Sequence, residues 1–147
     1  NIKKIIYLDL PVNLYIATQY LSSFYGDSVK DHLTTHNKKI TFEDNNNLEI
    51  ICIPPWKIID LDVSIDLFQN SNSFVEMPDD VIQNYCLYIK KCVHKKSKIT
   101  LSSYGEFNSE TTFDPKLLKE FFDFDFDLIS YSSMVPNKKD NIFFISK

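Results

Sequence analysis

The sequence is poor in glycine. Its 147 residues hold only two, Gly26 and Gly105, where average usage of about 7% would give roughly ten. They stand far apart, so no glycine-rich phosphate or dinucleotide loop fits within these residues. Collagen-like, linker-like and low-complexity readings fall for the same reason. Arginine is absent, and all 16 basic residues are lysine. The bidentate forks that read guanine or clamp phosphate are therefore missing. With a net charge of −4, general nucleic-acid binding is not expected. Cysteine is scarce and odd in number. Cys52, Cys86 and Cys92 form no CxxC, which reads as buried thiols in a reducing compartment. No apolar run approaches the ~20 residues of a membrane helix, and no signal-peptide pattern opens the chain. A cytoplasmic setting is the expectation.

What is present has the composition of one globular domain, 44% hydrophobic and 24% charged, and a single domain over 1–147 is expected. Lys4–Leu8 is a short β-prone run closed by Asp9. Pro11 then suits a first helical turn, Leu14, Thr18, Leu21 and Tyr25 recur at helical spacing, and Gly26 caps the end. Residues 27–47 are polar and read as a loop, with a short strand at Lys39–Phe42. Leu48–Ile53 is a buried strand stopped by Pro54-Pro55, and Ile65–Asn70 is another. Pro78, Asp79 and Asp80 open a helix whose lysine-rich end includes Lys90, Lys91, Lys95 and Lys96. A strand at Lys98–Ser102 follows. A helix is then capped at Asp114-Pro115, with Leu117, Leu118, Phe121 and Phe122 facing inward. Strands at Phe126–Tyr131 and Ile142–Ile145 close the chain. The short Val135–Asp140 link makes that last pair antiparallel. Strands alternating with amphipathic helices predict an open α/β sheet, mostly parallel, with a C-terminal antiparallel hairpin.

In such sheets ligands bind beyond the carboxyl ends of the strands. Asp9 sits at one such end, where a carboxylate can accept from ribose hydroxyls; the competing reading is a cap for the helix at Pro11. Pro54-Pro55-Trp56 ends the next strand, either as an apolar wall that stacks a base or as a strand stop with Trp56 plugging the core. Asn70-Ser71-Asn72-Ser73 offers amides and hydroxyls to a ligand, and Glu76 a general base. The alternative is helix-entry capping with Glu76 as a first-turn carboxylate. Ser103–Asn108 closes the fourth strand end. His32 and His36 have helix-face metal spacing but no accompanying acid or cysteine, so a solvated loop is expected. His94 is expected to be exposed at the lysine-rich helix end. No metal site is expected.

Three segments resemble the sugar O-methyltransferase family. They are Tyr7-Leu8-Asp9-Leu10-Pro11 with the helix to Ser22, Ile51-Cys52-Ile53-Pro54-Pro55-Trp56-Lys57, and Asp66 to Met77 running on to Asn84-Tyr85. The resemblance covers roughly residues 5–103. It implies a Rossmann-like class I fold binding S-adenosylmethionine and methylating a sugar or glycan precursor. It assigns Asp9 and Leu10 to the cofactor ribose, Pro54, Pro55 and Trp56 to the adenine, and Asn70 to the cofactor. Asn72 and Glu76 fall beside the acceptor hydroxyl. The family's glycine-rich turn precedes the Asp-bearing strand. The expectation is therefore the C-terminal two-thirds of a catalytic domain, lacking the first β-α unit. Two rival readings are a non-catalytic α/β interaction module and a nucleotide-sugar or NAD-binding Rossmann domain.

Overall fold

The computed structural model describes residues 2–35, 39–104, 118–122, 126–131 and 141–146. They form two compact units that meet in sequence at Val63 and Ser64.

The first unit holds strand β1 (Lys4–Leu8), helix α1 (Pro11–Tyr25), strand β2 (Val29–Lys30) and strand β3 (Glu49–Ile53). Its sheet runs β1-β3-β2, all parallel, with Leu8 beside Ile53 and Lys30 beside Ile51. β3 is buried along its whole length, as a central parallel strand covered on both faces should be. One face packs Ile50 and Cys52 against Leu14, and the other packs Ile51 and Ile53 against Ile40. Pro11 starts α1, and Gly26 ends it with φ 51°, its N–H bonding the Ser22 carbonyl. A side chain at that φ would be strained. Of the predicted inward positions Leu14 and Thr18 are buried, but Tyr25 is exposed.

The predicted loop over 27–47 contains β2 and a 3-10 turn at His32–Thr35. In place of a strand at 39–42 there is one isolated bridge, Ile40 with Leu61.

Glu49 is the one charged residue buried in β3. Lys4 Nζ lies 3.0 Å from Oε2, Lys30 Nζ 2.6 Å from Oε1, and the Glu43 N–H donates to Oε2 at 2.9 Å. Both carboxylate oxygens are thus paired, which is what makes the burial tolerable.

The second unit holds β4 (Ile65–Ser71), α2 (Asp79–Cys92), β5 (Val93–Tyr104), α3 (Leu118–Phe122), β6 (Phe126–Tyr131) and β7 (Asn141–Ser146). The sheet order is β4-β5-β7-β6: β4 and β5 are parallel, and β7 lies antiparallel to both β5 and β6. The predicted closing hairpin is therefore present. α2 buries Ile82, Cys86, Ile89 and Cys92, with Asp79 and Asp80 in its first turn and Lys90 and Lys91 in its last. Phe68, Phe74 and Phe122 form an aromatic cluster.

The helix ends earlier than the lysine run suggests. Lys95 and Lys96 belong to β5. The Ser97 hydroxyl accepts from the His94 N–H at 2.8 Å and donates to the Ile65 carbonyl at 2.6 Å, which ties this stretch to β4. The expected positions Gly105, Asp114, Pro115, Leu117 and Val135–Asp140 lie outside the described residues.

Across both units the fold is α/β with mostly parallel pairing and a terminal antiparallel hairpin. Among the described residues its strands hydrogen-bond as two sheets, where one was expected.

Candidate functional site

The carboxyl end of the first sheet brings two predicted groups side by side. Because Leu8 pairs with Ile53, the residues just beyond them, Asp9 and Pro54, leave the sheet together; the Asp9 N–H reaches the Ile53 carbonyl at 3.4 Å. Asp9 Oδ2 accepts from the Tyr7 hydroxyl at 2.8 Å. Oδ1 accepts from the Leu10 N–H at 2.8 Å and, more distantly, from Asn13 Nδ2 at 3.4 Å. The cap of α1 is Leu10, and it makes no side-chain cap bond. Asp9 is therefore not itself the cap residue; its carboxylate accepts the N–H of the residue that is. Leu10 is exposed beside it.

Pro54 is fully buried, with φ −75° and ψ 160°, and starts a 3-10 turn over Pro55–Asp60. The Lys57 N–H closes that turn on the Pro54 carbonyl, and Lys57 Nζ pairs with Asp60 at 2.7 Å. Pro54 is the residue that plugs the core here. Trp56 is 62% exposed, so the core-plug reading of the indole is wrong. An exposed indole on a turn anchored by two prolines is a flat surface available for stacking.

The carboxyl end of β4 in the second unit carries the other predicted group. Asn70 bonds Ser73 through its amide nitrogen, and its Oδ1 accepts from the Phe74 N–H at 3.3 Å. Asn72 has φ 63°, the left-handed region that asparagine tolerates better than most residues. Its backbone N–H donates to the Ser102 carbonyl, and its Oδ1 accepts from the Ser102 hydroxyl, both at 3.1 Å. A 3-10 turn over Ser73–Glu76 follows, burying Phe74 and Val75 and leaving Glu76 exposed. α2 is capped by Pro78 without a side-chain bond. Neither serine nor asparagine caps it, and Glu76 lies before its first turn.

The predicted pairing of His32 with His36 falls partly outside the described residues. His32 Nδ1 sits 2.8 Å from Asp31, while His36 lies outside the described residues. His94 is in β5, not at a helix end, with Nε2 3.1 Å from Asp66 Oδ1. Among the described residues no group of three or more His, Cys, Asp or Glu is placed to hold a metal ion. The sequence reading missed Tyr7 and Asn13 as partners of Asp9. The two-residue spacing of Tyr7 and Asp9, which puts both on one face of a strand, was the available signal.

No protein-family model matches the chain, and no curated protein matches it. Among solved structures it is similar to precorrin 8w decarboxylase from Methanobacterium thermoautotrophicum, at 13% identity and a TM-score of 0.52, covering 99% of this chain and 70% of that one. It is also similar to TehB from Haemophilus influenzae, at 11% identity and a TM-score of 0.48, over 98% of this chain. LepI C52A, in complex with SAH and a substrate analogue, matches at 11% identity and a TM-score of 0.48, over 98% of this chain. The chain spans 57% of the TehB chain and 43% of the LepI chain. The likeness is one of fold, a Rossmann-like α/β fold.

Proposed function

We propose that this chain serves S-adenosylmethionine-dependent O-methylation of a sugar hydroxyl. The observation that carries the reading is the pairing of Leu8 with Ile53, which ends the strands carrying Asp9 and Pro54-Pro55-Trp56 at the same level, with Trp56 exposed. A carboxylate accepts from a ribose diol, and an indole stacks an adenine. The donor chemistry of these residues therefore fits an adenosine-bearing cofactor. The fold supports the reading, as does the sequence resemblance.

When bound, S-adenosylmethionine supplies an electrophilic methyl group. In this reading Asp9 and Leu10 hold the ribose and Pro54, Pro55 and Trp56 flank the adenine. Asn70 holds the polypeptide turn that follows β4, through Ser73 and the Phe74 N–H. Asn72 orients the acceptor hydroxyl, and Glu76 takes its proton as general base. Positioning supplies most of the rate.

An acid at a strand end also suits a nicotinamide or nucleotide-sugar ligand. The antiparallel insertion of β7 between β5 and β6 favours the methyltransferase over it. The test uses the single tryptophan of the chain. Titrating S-adenosylhomocysteine into the protein should quench Trp56 emission with saturation, and NADH should not. Quenching by NADH alone, or by neither ligand, would overturn the reading.

A further inference from the structure

We infer that Tyr7 is a positioning residue for the Asp9 carboxylate, fixing the plane in which it receives a vicinal diol; this rests on the ribose reading of Asp9. The torsion that turns a carboxylate is broad and soft, so an unrestrained aspartate at a strand end samples many planes. Here both oxygens are restrained. Tyr7 holds Oδ2 at 2.8 Å, and the Leu10 N–H holds Oδ1 at 2.8 Å. The Leu10 bond comes from the next residue's backbone and follows the chain wherever it goes. The Tyr7 bond comes from a ring packed on the Leu14, Ile50 and Cys52 cluster, and so refers the carboxylate to the sheet.

The acceptor count fits a diol. A carboxylate offers about two acceptor positions per oxygen. Tyr7 takes one on Oδ2 and leaves one open. On Oδ1 the second position holds only the long 3.4 Å contact from Asn13, which a hydroxyl can displace. The phenol itself stays a donor. Burial, the hydrogen bond to Asp9 and the Asp9 charge push its pKa up to about 12.

Tyr7→Phe removes the hydroxyl and keeps the packed ring, and a thermal melt matching wild type checks that the fold is intact. Calorimetry then compares S-adenosylhomocysteine with its 2′,3′-dideoxy analogue. The expected result is about fivefold weaker binding of S-adenosylhomocysteine, the size of one hydrogen bond, with the dideoxy analogue unchanged. In an Asp9→Ala background Tyr7→Phe should change neither affinity. Equal weakening of both ligands by Tyr7→Phe, or no weakening of either, would overturn the inference. If wild type binds the two ligands equally, or binds neither, the ribose reading of Asp9 fails and the role of Tyr7 falls with it.

Discussion

Asn72 and Ser102 bond each other twice: the Asn72 N–H donates to the Ser102 carbonyl, and the Ser102 hydroxyl donates to Asn72 Oδ1, each at 3.1 Å. The pair links the end of β4 to β5 and holds Asn72 at φ 63°. Asn72→Ala keeps that φ with a residue that resists it, at about 1–2 kcal/mol, and drops the Ser102 bond, at about 1 kcal/mol. Asn72→Gly loses the bond but not the backbone fit. Urea unfolding should therefore rank wild type above Asn72→Gly above Asn72→Ala. If Asn72 also orients the acceptor, the folded glycine variant will still lose methyl transfer by tenfold or more, a loss of about 1.4 kcal/mol of transition-state stabilisation. Full activity in Asn72→Gly would limit Asn72 to shaping the turn.

Glu49 makes acid stability specific. Burial raises its pKa, but the Lys30 bond, the Glu43 N–H and the Lys4 bond outweigh that and hold it below the ordinary carboxylate value. A depressed folded pKa contributes stability above the unfolded value, near 4.3, and that stability is lost as pH falls through the folded one. Glu49→Gln should cost about 2 kcal/mol at pH 7. This is less than the roughly 3–5 kcal/mol of a fully buried pair, because both lysines reach solvent. As pH falls through that depressed folded value the wild-type and variant midpoints should converge. Parallel pH profiles would show that Glu49 acts through packing alone.

Much of this architecture could be read from local pattern. Pro11 and Gly26 bound α1, and Pro54 stops β3, because each removes a backbone option that the next residue would need. β2 is two residues long, too short for any periodicity to show. The start of β5 was hidden for a different reason. Lysines after an amphipathic helix suit its dipole, whereas the Ser97 bond to the Ile65 carbonyl, a long-range fact, ties the stretch after Cys92 to β4. The division into two sheets is long-range in the same way. At the site, the residue types of Asp9 and Trp56 were legible, but the exposure of Trp56 and Asp9's tie to Tyr7 were not, because both depend on how the turns after β1 and β3 fold.

The thiols give an alkaline counterpart. Cys52, Cys86 and Cys92 are buried thiols outside any disulfide. Burial pushes the Cys86 thiol up to about 12 and raises that of Cys52. In the unfolded chain they ionise near 8.5, so the native state holds more protons between there and the folded values. Stability should fall as pH rises through that window. At pH 8 a thiol reagent should modify the native protein only as fast as it opens, and three thiols should react at once in denaturant. Prompt native labelling of Cys86 would contradict its burial.

The central claim is that Asp9 receives the ribose of an adenosine-bearing cofactor. Its most direct measurement is calorimetric titration of S-adenosylhomocysteine into the protein and its Asp9→Ala variant, with matched thermal melts. Hydrogen bonds to a charged group contribute about 1.5–3 kcal/mol each. The account predicts at least a tenfold loss of affinity in the variant with the fold retained. Equal affinity in the two proteins would contradict it.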